Sequence, residues 1–309
     1  MEKIIFYGAG KIGRATAAFF SSLGLKDNIA FFCDQNASEI KTLDGIMVIS
    51  YSKAKLLHLP FLISVGEENR QGIEELLKKD KQKYYYDAAD WNRELGMLDA
   101  VEFNRQYVAF YHKDSMNQYF KDAEIADSLA VFWNTESPFY MRFKQLDLEN
   151  VIELACGRGR HVPEYINSAE HITLVDILQK NIDICKQRFE SESKIDYYCN
   201  NGSDLSELTD NTYTSLFTYD SMVHFEMMDI YKYLLETKRV LKKGGRALFH
   251  HSNMHDDYRG NFTNTIDGRN YMSQELFAYL AYRAGLQIID QQLIDWAKPN
   301  EDCITLVEK

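Results

Sequence analysis

The chain has 309 residues, 45% of them hydrophobic, and a net charge of −11. That length admits two domains, each with its own core. The acidic balance argues against a duplex nucleic-acid partner, which wants a basic face. No apolar run reaches the roughly 20 residues of a membrane span, and the N-terminus enters a strand directly, without a signal-peptide pattern. The cysteines (Cys33, Cys156, Cys185, Cys199 and Cys303) are scattered and odd in number. They suit neither a disulfide framework nor a zinc cluster, and a reducing, cytoplasmic setting is expected.

In chain order, residues 3–7 predict a strand that enters the turn Gly8-Ala-Gly10-Lys-Ile-Gly13, followed by a helix to about Leu23. Residues 29–34 predict a second strand ending in Asp34. Residues 46–50 and 61–65 predict two more, and residues 70–79 a helix. Glycines at this spacing serve a tight turn, ligand approach and helix packing. The segment resembles the short nucleotide-binding-type domains fused to bacterial sugar-modifying enzymes. A Rossmann-like domain over residues 1–98 is therefore expected. No hydride-transfer site follows Asp34, so NAD is not expected. Nucleotide or nucleotide-sugar docking, or a structural role, remains open for this domain.

Residues 99–112 and 122–133 have helical spacing, and a helical cap is expected over residues 99–148. Then comes Val151-Ile-Glu-Leu-Ala-Cys-Gly-Arg-Gly-Arg160, an apolar run that ends in an acid and a small-residue loop. A second apolar run, His171-Ile-Thr-Leu-Val-Asp176, ends in another acid at roughly the 20-residue spacing of a nucleotide-binding unit. Residues 194–199 and 213–220 predict two further strands. Residues 231–243 predict a helix stopped by Gly244-Gly245, residues 246–250 a strand, and residues 273–285 a helix with Ser273 as N-cap. Residues 286–293 and 303–307 close the pattern as a strand pair.

The order and spacing of these elements, with Glu153, the glycine loop and Asp176, resemble class I S-adenosylmethionine (SAM) methyltransferases over residues 115–309. Ala155 stands where that family's first loop glycine stands. The resemblance implies an α/β fold: a seven-stranded sheet, parallel with an antiparallel closing strand, preceded by the small Rossmann-like domain. It implies SAM as cofactor and S-adenosylhomocysteine as product, held by Glu153, Ala155, Cys156, Gly157, Gly159, Asp176, Ile177, Ser203, Asp204, Leu205 and Tyr219. Asp176 would take the ribose hydroxyls and Asp204 the adenine amine.

The sulfonium makes the methyl carbon electrophilic already, so the protein's task is alignment and exclusion of water. A sugar hydroxyl is a weak acid and needs a base, a role suited to histidine. His224 and His251 lie at the ends of the fourth and fifth strands, with Asp220 beside them. The phrases around them, Asp220-Ser-Met-Val-His224 and His250-His-Ser-Asn253, resemble those of sugar and surface-polysaccharide O-methyltransferases. A sugar or nucleotide-linked sugar substrate follows, with Asn253, Arg259, Arg269 and Asn270 on the acceptor. Alternatives are a phosphorylated, phosphoramidate or amine acceptor, an NAD-dependent sugar oxidoreductase, and a non-catalytic scaffold. A divalent ion at His250, His251, His255, Asp256 and Asp257 is not favoured, because adjacent strand residues point to opposite faces.

Overall fold

The computed structural model describes residues 2–114 and 117–309. The expected cap, residues 99–148, includes Ser115 and Met116, which lie outside the described residues. The chain divides into two compact units: Met1–Tyr111 with Asn261–Gly268, and His112–Gly260 with Arg269–Lys309.

The first unit runs β1 (Ile4–Tyr7), α1 (Lys11–Ser22), β2 (Ile29–Cys33), β3 (Thr42–Leu43), β4 (Ile46–Ile49), α2 (Tyr51–Ala54), β5 (Phe61–Ile63), α3 (Glu67–Lys79), β6 (Tyr84–Tyr85), α4 (Ala88–Leu95) and α5 (Ala100–Asp114). Its sheet order is β3-β4-β2-β1-β5-β6, parallel except for the β3–β4 pair. The buried apolar runs of β1 and β5 are what a sheet covered on both faces requires. Two of the turn glycines answer to packing. A Cβ on Gly13 would lie 2.0 Å from the Gly8 carbonyl oxygen, and one on Gly8 would lie 2.6 Å from that of Ser64. Gly10 has open space around it. Asp34 turns back onto the loop and accepts the Ala9 N–H at 2.8 Å.

The boundary falls after Tyr111 rather than at residue 98, because α5 completes the first core. Phe103 and Tyr107 pack on Phe19, and the Tyr107 hydroxyl meets Thr16 Oγ1 at 2.9 Å. The segment Asn261–Gly268 also belongs here. Asn261 Nδ2 and Asn264 Nδ2 both donate to Asp87 Oδ2, at 3.0 and 2.5 Å. Buried Arg70 gathers the carbonyls of Ile63, Val65 and Thr263, and Phe262 packs edge-on against Tyr107 and Tyr111.

The second unit continues with α6 (Asn117–Asp122), α7 (Ala126–Trp133), α8 (Pro138–Phe143), β7 (Asn150–Leu154), α9 (Val162–Tyr165), β8 (His171–Asp176), α10 (Gln179–Arg188), β9 (Ile195–Cys199), β10 (Tyr213–Thr218), α11 (Met227–Val240), β11 (Leu241–Ser252), α12 (Gln274–Arg283), β12 (Gln287–Ile294) and β13 (Asp302–Glu308). The strand order is β12-β13-β11-β10-β7-β8-β9, with β13 antiparallel to both its neighbours and the other pairs parallel. This is the seven-stranded arrangement implied above. The order reverses between β7 and β10, the switch point where ligands bind in open α/β sheets.

Local departures have local causes. α11 stops at Val240, before Gly244-Gly245, because Leu241 already pairs with Tyr213 in the sheet. The glycine pair forms an irregularity inside β11 instead, with Gly244 at φ 78°. The predicted 122–133 helix starts only at Ala126, after Ile125 adopts an extended conformation. Ser273 does cap α12, its Oγ accepting the Leu276 N–H at 3.1 Å.

Candidate active site

The site begins where β7 ends. Val151 to Leu154 is fully buried, so the chain must leave the sheet in a tight loop over the strand ends. Ala155, Gly157 and Gly159 take φ of 56°, 56° and 73°. For Ala155 that left-handed conformation is strained, by about 1 kcal/mol or more. A Cβ on Gly159 would sit 2.6 Å from the Phe189 ring. Phe120, from α6, covers Gly157, and the Arg158 guanidinium lies over its ring at 4.3 Å.

Two carboxylates bracket this loop. Asp176, at the tip of β8, accepts from the Gly157 N–H at 2.9 Å, the Leu178 N–H at 2.8 Å and Asn181 Nδ2 at 3.1 Å. Burial pushes its pKa up to about 6 against those bonds. Glu153 lies beneath the loop. Its Oε2 accepts the Tyr165 hydroxyl at 2.7 Å, whereas buried Oε1 has no partner. Burial raises this carboxyl to about 8, so it is mostly protonated at neutral pH. An orphaned carboxyl oxygen under a glycine loop and a second acid at the next strand tip suit a ligand with amino and hydroxyl groups. The residues fit SAM. Ile177 extends the surface into an open groove of about 490 Å³ with Lys113, Leu178, Lys180 and Gln187.

The third strand's contribution differs from the expectation. Asp204 is turned onto its own loop, accepting from the Tyr198 hydroxyl at 3.0 Å, from the Ser206 N–H, and from Asn201 Nδ2. Leu205 is buried in the core beside Met222 and Tyr233, and its N–H is spent on Glu236. Ser203 is buried, its N–H and Oγ both directed to Asn201 Oδ1. Short polar side chains that bond their own backbone neighbours produce such closed loops.

The end of β10 holds a polar cluster. Asp220, another left-handed non-glycine at φ 54°, is clasped by Arg160 Nη2 at 2.9 Å and by the Tyr119 hydroxyl. Burial alone would raise its carboxyl, but the Arg160 charge outweighs that and holds it at about 2. Asp220 is thus an ionised partner rather than a base. Tyr219 stacks on the His250 ring at 4.5 Å and abuts Phe132 and Phe139. Trp296, 38% exposed, lies parallel to Phe132 and over the Arg269 guanidinium.

The histidines separate. His224 is half-exposed in the turn after Asp220, its ring 5.3 Å from that of His112. His251 is fully buried on the opposite sheet face, stacked on Phe277 at 3.9 Å, with Nε2 meeting Thr305 Oγ1 and Nδ1 the Ser252 carbonyl. Full burial with both ring nitrogens engaged keeps it from any acceptor, and the same burial lowers its pKa to about 3. His250, on the site face, is the neighbour that reaches Asp220.

The expected acceptor residues are largely structural. Asn253 is committed to the Asn300 carbonyl and the Gln274 N–H. Arg269 is buried and pairs through two nitrogens with Asp302. Asn270 donates to the His224 carbonyl at 2.5 Å. Arg259 pairs with Asp257 at the surface. Sequence reasoning missed Tyr119, Arg160, Asp302 and Trp296, and weighed His250 only as a metal ligand. Only Arg160, inside the glycine loop, carried a local signal. Among the described residues no group of three metal-type ligands occurs.

A family model described as a methyltransferase domain matches residues 152–249, less than half of the chain, running from β7 into β11. Among solved structures, a protein from Pyrococcus horikoshii OT3 is similar at 18% identity and a TM-score of 0.51, covering 62% of this chain and 98% of that one. A SAM-dependent methyltransferase from Clostridium acetobutylicum is similar at 16% identity and a TM-score of 0.49, covering 63% and 99%. No curated protein matches. The second unit thus shares the fold of the Pyrococcus protein, and residues 152–249 within it match the methyltransferase-domain model. No helix among the described residues is long and apolar enough to cross a membrane.

Proposed function

We propose that the second unit methylates a hydroxyl of a sugar or sugar-linked small acceptor in surface-polysaccharide assembly, with His224 accepting the hydroxyl proton. Bound SAM supplies the electrophilic methyl group. The carrying observation is the half-exposed imidazole of His224, placed in the turn that follows Asp220, while His251 is sealed in the core. A hydroxyl nucleophile needs such an acceptor for its proton, typically worth 10²–10⁴-fold in rate. Exposed Trp296 supports the acceptor class, since the apolar C–H face of a sugar ring packs on an aromatic face. Arg160 and Tyr119 hold the Asp220 carboxylate at the same rim, and the aromatic wall of Phe132, Phe139 and Tyr219 excludes water.

The first unit is read as a Rossmann-like domain whose glycine turn takes no part in methyl transfer, since Gly8 and Gly13 are accounted for by packing alone. The test is turnover of nucleotide-linked and free sugars, in wild type and His224→Ala, with SAM and NAD titrated separately. The expected result is saturable binding of SAM but not of NAD, and turnover roughly 10²–10⁴-fold lower in the variant with SAM binding intact. Turnover of amines or phosphorylated acceptors alone, unaffected by the substitution, would refute the hydroxyl reading.

A further inference from the structure

We propose that His250 is a positioning residue, which fixes the left-handed backbone of Asp220 and thereby aims the Asp220 carboxylate at Arg160 and Tyr119. The inference rests on the reading that methyl transfer occurs at the rim formed by the end of β10.

The geometry begins on β13. Asp302 is fully buried and receives Arg269 through two nitrogens, Nε at 3.1 Å on Oδ1 and Nη2 at 2.6 Å on Oδ2. The same Oδ2 meets His250 Nε2 at 3.1 Å. On the other side of the ring, Nδ1 accepts the backbone N–H of Asp220 at 3.0 Å. A nitrogen that accepts carries no proton, so the His250 proton resides on Nε2 and is donated to Asp302. Asp302 therefore selects the tautomer that receives Asp220. The Tyr219 ring stacked on His250 holds the preceding residue in the same place.

Asp220 needs this support. A non-glycine residue at φ 54° persists only where its surroundings over-determine it. The His250 bond acts on its N–H, and the Arg160 and Tyr119 contacts act on its carboxylate. Without the first, the backbone relaxes and the carboxylate leaves the direction that the other two require. The closing antiparallel strand thus reaches the rim through one imidazole. His251, one residue later, faces the α12 side and has no part in this arrangement.

Two substitutions separate the two ring nitrogens. In His250→Asn, Oδ1 replaces Nδ1 and still accepts the Asp220 N–H, while the link to Asp302 is lost. In His250→Gln, the terminal amide reaches Asp302 and leaves the Asp220 N–H without an acceptor. The experiment uses the full chain and three readouts: SAM affinity by calorimetry, kcat on an acceptor the wild type turns over, and exchange of the Asp220 amide by NMR.

The expected result is slow exchange in wild type and His250→Asn, with fast exchange in His250→Gln. The glutamine variant should also lose about 10–100-fold in kcat, the size of effect that losing an orienting partner has on metal-bound side chains, with SAM affinity unchanged. Equal exchange and equal kcat in the two variants would overturn the proposal, as would an unprotected Asp220 amide in the wild type. If the wild type methylates no sugar, the hydroxyl reading fails separately, and Asp220 exchange still decides the role of His250.

Discussion

Replacing Arg160 by Met removes the cation from an enclosed ion pair of the rim. Arg160 Nη2 and Asp220 Oδ2 are 2.9 Å apart, with side chains only 12% and 8% exposed. The pair's surroundings hold Asp220 at about 2 instead of the ordinary 3.8. At about 1.36 kcal/mol per pH unit, that corresponds to roughly 2–3 kcal/mol of native-state stability at neutral pH. The variant loses this and leaves a buried carboxylate uncompensated, so a loss of about 3–5 kcal/mol is expected at pH 7. The sign of the pH dependence follows. In the wild type, the folded value lies below the unfolded one, so the contribution is complete above about pH 4 and fades as pH falls toward 2. In Arg160→Met, burial acts unopposed and raises the folded value, so ionisation opposes folding as pH rises. The two stability curves should converge at low pH. Urea unfolding followed by tryptophan fluorescence, between pH 3 and 8, measures both. The double variant Arg160→Met/Asp220→Asn should recover most of the loss. A penalty under about 1 kcal/mol at pH 7, or a double variant as unstable as the single one, would refute the reasoning.

Asp176→Ala should weaken SAM binding by about 1.5–3 kcal/mol, measured by calorimetry, through loss of charge-assisted hydrogen bonds; unchanged affinity would remove Asp176 from the cofactor site. Glu153→Gln should stabilise the ligand-free protein in alkaline buffer. The folded Glu153 carboxyl is raised from 4.5 to about 8, so its contribution is present below 4.5 and lost as pH climbs through 8, a loss that glutamine does not suffer. Urea midpoints at pH 5 and 8 show whether the wild type alone declines.

The sequence reveals the second unit's architecture because each strand is a short buried run and each tip carries a distinctive residue. Glu153, the glycine loop, Asp176 and Asp220 all fall where such a sheet gathers its ligands. The histidines at the end of β11 were not legible in the same way. Strand alternation says that His250 and His251 face opposite ways, but the phase is set by packing of His251 on Phe277, an α12 residue. Asp204 and Leu205 misled for a related reason. Their loop closes on itself and on Glu236, and side-chain bonds of that kind leave no pattern in spacing. Arg269 and Asn270 have the composition of a sugar-binding loop, yet their planar groups are consumed by Asp302 and a backbone carbonyl.

The membership of Asn261–Gly268 in the first unit bears on how a ribosome delivers this protein. The loop that completes the Asp87 and Arg70 cluster is encoded between β11 and α12. After Tyr111 has been synthesised, the chain up to Asn261 must still be made, which takes about 8–30 s at roughly 5–20 residues per second. Throughout that interval Asp87 lacks both asparagine donors, and Tyr107 and Tyr111 lack the Phe262 ring. The nascent first unit therefore waits, with one side unfinished, until most of the second unit's strands have been synthesised. A stop codon placed after Tyr111 would release that waiting intermediate rather than a finished domain.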